Sequence, residues 1–293
     1  MSLPRFVDAH VHLWDLEVLP YPWLDDPGCE PLRADYLPGD LRADSDGLDL
    51  AATVHVQAEM SHALDPVAET SWLAELAEAG DPPVPTVCVG YADLRRPDLG
   101  DVLARHQEYA FFRGIRQEAW FDPTSTRADV PRSNLLDDPR WVRGLGRLAA
   151  RGLSFDLLVW DHQLAQAVTV FRELPELTLV LEHLGVPPAA QYLDRWRSGL
   201  RAFADQVPWA KLKLSAIGMA GGPETGGPLI REAIEIFGPH RCLFASNFPV
   251  ERPSMTYRDI WATYDAVTAD LSPSEREAVF AGTALSVYRI EST

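Results

Sequence analysis

Residues 177–183 read Leu-Thr-Leu-Val-Leu-Glu-His, and residues 241–246 read Arg-Cys-Leu-Phe-Ala-Ser. A half-exposed strand alternates apolar and polar side chains, whereas these two runs are apolar on nearly every residue until a polar group ends them. A strand buried on both faces reads that way, and such strands belong to parallel sheets covered by helices. Working outward, eight strand candidates emerge, at residues 5–11, 51–57, 84–92, 111–116, 154–159, 178–181, 211–215 and 242–245. Amphipathic stretches alternate with them at 65–79, 97–110, 139–151, 162–173, 193–206 and 229–237, and two more follow the last strand, at 255–269 and 274–287. The final one opens on Ser-Pro-Ser-Glu, where Ser272 or Ser274 serves as the cap and Pro273 suits the first turn.

About eight strand–helix units without a composition break predict an α/β chain folded as a single (β/α)8 TIM barrel, one domain over residues 1–293. A doubly wound open sheet is the structural alternative. It lacks a G-x-G-x-x-G after the first strand, which weakens its dinucleotide-binding form. Residues 16–49 are rich in Pro, Asp and Gly and carry no clear helix, so a long loop after the first strand is expected to form a lid or pocket wall.

The 293 residues carry 26 Lys+Arg against 43 Asp+Glu, a formal charge of −17, which leaves no basic stripe for nucleic acid and disfavours anionic lipid. Cys29, Cys88 and Cys242 cannot all pair and share no CxxC spacing, which fits a reducing compartment. No signal peptide or membrane-length apolar run is visible. The expectation is a cytoplasmic enzyme acting on a small-molecule substrate, with no nucleic-acid or membrane partner; a homo-oligomer suits a barrel of this size.

Polar residues at strand C-termini mark the active face of a barrel. The first strand ends Asp8-Ala9-His10-Val11-His12, and residues two apart share a side, so His10 and His12 project together, to hold a divalent metal or to bind a substrate carbonyl. The sixth ends Glu182-His183, with His183 at the mouth and Glu182 expected to face oppositely and pack behind. The eighth ends Ser246-Asn247; the Asn247 amide hydrogen-bonds but takes no proton from water.

The N-terminal VDAHVHLWD, the LEHLG element and the terminal FASNFP together resemble the amidohydrolase superfamily, in its branch of lactonase-like hydrolases that includes sugar-lactone and pyrone-lactone hydrolases. YPWL after the first strand, VHVQAE, RGIRQ and FDLLV follow in the matching order, so the resemblance spans nearly the whole chain. It implies that His10, His12 and His183 form the histidine set, holding at most one divalent ion, Zn2+ or Mn2+, or acting without metal. Position 247 matches the aspartate that typically activates water, and here it is Asn. No Lys ends the fourth strand, where RGIRQ offers Arg116 and Gln117, so a binuclear centre is not expected. The base then lies elsewhere, with Glu59, Glu118 or a histidine of the site as candidates ahead of Asp15. Arg116 would clamp a substrate carboxylate, His55 or Gln57 would contact substrate, and Trp14, Trp120 and Trp160 would stack on a ring. His62, His106, His162 and His240 are expected to stand apart. The activity implied is hydrolysis of a lactone of a small sugar acid or dicarboxylic acid. The alternatives are a metal-dependent decarboxylase and a barrel that binds a lactone or carboxylate without turnover.

Overall fold

In the computed structural model, which describes residues 3–124 and 133–291, eight parallel strands form one sheet in chain order. They are β1 Phe6–Val11, β2 Leu50–Val56, β3 Val87–Tyr91, β4 Phe112–Arg116, β5 Ser154–Leu157, β6 Thr178–Leu181, β7 Lys211–Leu214 and β8 Cys242–Phe244. The seam between β8 and β1 is joined by a parallel bridge from Val11 to Phe248, with His12 N–H donating to Phe248 O at 2.8 Å. The expected (β/α)8 barrel is therefore the observed one.

Strand alternation sorts the core into two layers. Val7, Ala9, Val54, Val56, Val87, Val89, Val180, Leu243 and Ala245 fill the barrel interior, and Ala284, Val287 and Tyr288 close it from below. Their neighbours along the strands face outward to the helices: Phe6 stacks on Trp261 at 3.7 Å between centroids, and Phe155 packs edge-on to Trp141. Each large apolar side chain buried this way contributes roughly 1.5–3 kcal/mol, so the shell of buried Trp, Tyr and Phe is the main stabilising layer.

Helix boundaries follow the caps. Helix α4 (Pro139–Ala149) starts where the Asp138 carboxylate accepts from Arg140 N–H, and α8 (Tyr257–Val267) where Thr256 accepts from Asp259 N–H. Ser272, not Ser274, caps α9 (Pro273–Glu277). Two expectations are corrected. Helix α7 runs Pro223–Phe237 rather than from 229, because Pro223 opens it and Gly226 lies against Ile217, where a side chain would be crowded. The loop after β1 contains α1 (Pro38–Asp44), whose Asp40 carboxylate accepts from Leu37 N–H at 2.9 Å. The sequence also predicts that the loop at 121–137 helps set substrate specificity; its residues 125–132 lie outside the described residues. Among the described residues no helix is long and apolar enough to cross a membrane.

Gly144 on α4 sits directly on the Leu94 backbone carbonyl, so an added Cβ would collide with it. Ala normally stabilises a helix relative to Gly by up to about 1 kcal/mol, but overpacking against rigid backbone costs about 1–3 kcal/mol. Gly144→Ala is therefore expected to lower stability on balance, read as a lower urea midpoint with unchanged m-value.

Candidate active site

The C-terminal ends of the strands open onto a cavity of about 330 Å³. His12, Glu59, Arg116, Glu118, His183 and Asn247 supply its polar lining, and Trp23, Trp120 and Trp160 its flat walls. Trp23 comes from the long loop after β1, which thus forms part of the pocket wall as expected. Backbone strain is concentrated here. Seven non-glycine residues among those described have left-handed φ, and five of them, Glu59, His183, Val186, Ala216 and Asn247, line the cavity. Such conformations cost energy and persist only where the surroundings enforce them.

The histidines are held by their inner nitrogens. His12 Nδ1 lies 2.7 Å from Val56 O. A carbonyl only accepts, so Nδ1 carries the proton and Nε2 presents a lone pair. His183 Nδ1 pairs with Ser215 Oγ at 2.7 Å. His10 Nε2 is 3.0 Å from His12 Nε2, while its Nδ1 lies 3.0 Å from Glu182 Oε1 and 3.2 Å from Lys213 Nζ. Burial pushes His10 and His12 well below the ordinary histidine range, and His183 down to about 4, so all three rings are neutral near pH 7.

Beneath them runs a buried ionic network. Lys213 Nζ donates to Asp156 Oδ2 at 2.6 Å and to Glu182 Oε1 at 3.4 Å, and Tyr288 Oη donates to the same Asp156 oxygen at 2.7 Å. Burial raises the Asp156 carboxyl, with Lys213 opposing. Burial also works against Glu182, but His10, Lys213 and Arg116 outweigh it and hold that carboxyl well below its usual range. Arg116 donates to Gln57 O at 2.6 Å and lies 3.6 Å from Glu182, 3.5 Å from Glu118 and 4.0 Å from Glu59.

Glu59 is fixed from several sides. Gln57 Nε2 donates to its carboxylate, its own N–H donates to Gln57 Oε1 at 2.8 Å, and His62 Nε2 lies 3.0 Å from Oε2. Burial disfavours its charge, yet the His62, Arg116 and Gln57 contacts outweigh this and lower its carboxyl below the usual range.

The structure thus brings His12, Glu59, Arg116, Trp120, Trp160, His183 and Asn247 to one cavity, with His10 directly behind His12. Four other sequence candidates, Asp15 among them, lie outside its lining. His55 Nδ1 accepts from Leu13 N–H at 3.2 Å and Nε2 faces Glu69 at 3.6 Å; Gln57 acts on Glu59; Trp14 is buried and donates to Ala34 O at 2.7 Å. Glu182 corrects the expectation that it packs behind the strand. The interior position of Val180 puts Glu182 inside as well, and His183 reaches the mouth too because its φ of 51° breaks the alternation. His62, expected to stand apart, contacts Glu59. Lys213 and Asp156 were missed. The signal was a lysine within an otherwise apolar barrel strand, together with an aspartate in FDLLV that could partner it.

The amidohydrolase family model matches residues 7–290. The chain belongs to the amidohydrolase family. It is similar to the uncharacterized protein y4mH of Sinorhizobium fredii, 35% identical over 99% of this chain and 100% of that one, and to an L-fucono-1,5-lactonase of Burkholderia multivorans, 29% identical over 97% and 96%. The crystal structure of a B. multivorans amidohydrolase with bound zinc superposes with a TM-score of 0.83, at 29% identity, covering 98% of this chain and all of that one. This amidohydrolase is therefore a hydrolase of the lactonase-like branch.

Proposed function

We propose that this amidohydrolase opens the ester ring of a neutral sugar lactone by water attack. The observation that carries the reading is the charge of the pocket. Glu59 and Glu118 line it, and the Arg116 guanidinium between them is already engaged by Gln57 O, Glu118 and Glu182. A dicarboxylic substrate would meet carboxylates and a guanidinium with its charge already balanced. A polyol would find acceptors for its hydroxyls and flat apolar walls at Trp23, Trp120 and Trp160 for its C–H faces. The lactonase name carried by relatives at 29% and 26% identity supports the same reading.

The residues fit a divalent ion. Ligand atoms of His10, Glu182 and His183 lie within 4.8 Å of one another, and the Val56 carbonyl leaves His12 Nε2 as a lone-pair donor. Four carboxylates, Asp156, Glu182, Glu59 and Glu118, face two cations, Lys213 and Arg116, so the site carries formal negative charge for a dication to balance. The histidines of the set would hold the ion, and it would supply Lewis-acid polarisation of the ester carbonyl.

In the reaction, water oxygen bonds to the carbonyl carbon and the ring C–O bond breaks, giving a hydroxy acid. Glu59, kept ionised at neutral pH, accepts the water proton, which returns to the departing alkoxide. Arg116, bonded to Gln57 O and flanked by Glu118 and Glu182, holds the wall beside Glu59. Asn247 offers an amide to the substrate or the water. Glu59→Gln keeps the shape and removes the base; kcat is expected to fall about 100-fold or more with KM within a few-fold, in a pH-indicator assay of ring opening. Unchanged kcat would remove Glu59 from the role.

A further inference from the structure

Glu69 belongs to the first turn of α2 (Ala68–Glu78), yet its side chain is buried, 2% exposed, and reaches the end of β2. Ala58 N–H donates to both of its oxygens, at 3.0 Å and 3.3 Å, and the Tyr21 hydroxyl donates to Oε1 at 3.3 Å. His55 Nε2 stands 3.6 Å from Oε2, beyond hydrogen-bonding distance. Ala58 O in turn accepts from Trp23 Nε1–H at 2.8 Å. The next residue is Glu59, left-handed at φ 57°, whose own N–H donates to Gln57 Oε1 at 2.8 Å. The peptide joining Ala58 to Glu59 is thus held at its oxygen by Trp23 and at its nitrogen by Gln57. The peptide before it is held at its nitrogen by Glu69. A non-glycine residue stays left-handed only where its surroundings enforce it, and these contacts are the enforcement. Tyr21 and Trp23 lie on the same loop after β1, so the carboxyl that grips Ala58 also grips the segment that carries the pocket wall.

We propose that Glu69 is a positioning residue. Through Ala58 N–H it sets the backbone from which Glu59 reaches the cavity, and through Tyr21 it seats the loop whose Trp23 locks Ala58 from the other side. Glu69 lies outside the cavity lining, so it acts on the reaction through Glu59 and not by touching substrate. Without its hold the left-handed turn relaxes and the Glu59 carboxylate leaves the place where it meets water. Such a shift of the base falls on kcat more than on KM.

The kinetic consequence rests on the lactonase reading, with Glu59 as base; the backbone one does not. Hydrogen exchange at the Ala58 and Glu59 amides and the Trp23 indole is followed by NMR, alongside kcat and KM for a sugar 1,5-lactone. Glu69→Met keeps the volume and removes the acceptor. All these N–H groups are expected to exchange about 10-fold faster or more, and kcat to fall about 10-fold with KM within about 3-fold, the cost of leaving one buried N–H without an acceptor. Glu69→Gln keeps an oxygen at the Oε1 place and restores most of both. Tyr21→Phe deletes one hydroxyl, carries the comparison should Glu69→Met not fold, and is expected to speed Trp23 indole exchange and lower kcat by about 3-fold. In a Glu59→Gln background, Glu69→Met costs less than about 2-fold further, because its effect passes through that base. Wild-type exchange rates in the variants, a loss carried by KM, or an undiminished loss in the Glu59→Gln background overturns the proposal. Faster exchange in a protein with no lactone turnover supports the hold on this corner and refutes the lactonase reading.

Discussion

Lys213→Met unfolds at a temperature roughly 6–12 °C below the parent chain, a loss of about 3–5 kcal/mol. The side chain is fully buried and its ammonium neutralises two equally buried carboxylates, Asp156 and Glu182. Methionine fills similar volume, so the loss comes from charge and not from a cavity. The Tyr288 hydroxyl and His10 remain as partners but add no full positive charge. Breaking one side of a buried ion pair is far more costly than replacing both sides. The double variant Lys213→Met with Asp156→Asn accordingly recovers part of the loss. Differential scanning calorimetry on the three proteins measures this, and a Lys213→Met transition within 2 °C or so of wild type would show that the network is not ionised as described.

His12→Ala lowers kcat about 1000-fold, the second large effect expected. Its tautomer is fixed by geometry: Nδ1–H donates to Val56 O, leaving the Nε2 lone pair at the cavity beside His10 Nε2. Losing it removes a metal ligand or a direct substrate contact. Metal stoichiometry measured on the same preparations separates the two, since a ligand loss lowers bound metal in step with kcat. Ser215→Ala, which only frees the His183 ring from its 2.7 Å partner, is expected to cost about 10- to 100-fold, the range for supporting contacts around metal ligands. A His12→Ala enzyme with near wild-type kcat would remove the histidine set from the chemistry.

Much of this was legible in the sequence. Strands apolar on successive residues, such as Leu179-Val180-Leu181, can only be buried on both sides, and their alternation with amphipathic segments gave the barrel and the end of it that carries the site. His10, His12, Arg116, His183 and Asn247 followed from their places at strand ends. What period-two reasoning could not supply was the backbone that leaves the strand. Glu182 and His183 both reach the interior because His183 is left-handed, and Glu59 and Asn247 are aimed by the same device without a glycine to announce it. Long-range partners were equally hidden. Lys213 meets Asp156 from two strands away and Tyr288 from the end of the chain, and Glu251 reaches Gly218 across the β7 turn. Such contacts are set by barrel closure and not by local pattern. The long loop after β1 was rightly assigned to the pocket through Trp23, whereas Trp14, closer to the strand end, is buried under the same loop.

The central claim is the class of substrate, and a continuous pH-indicator assay across two panels tests it most directly. One panel holds neutral aldono-1,5-lactones and aldono-1,4-lactones, the other pyrone-dicarboxylate and muconolactone acids, each run on protein as purified and after supplementation with Zn2+ or Mn2+. The pocket, with Glu59 and Glu118 at its wall and Arg116 already engaged, predicts turnover of neutral sugar lactones and at least 100-fold lower kcat/KM for the acids, the ~2.7 kcal/mol cost of bringing a carboxylate to that wall. Preference for the anionic lactones, or no ring opening on either panel, would contradict it.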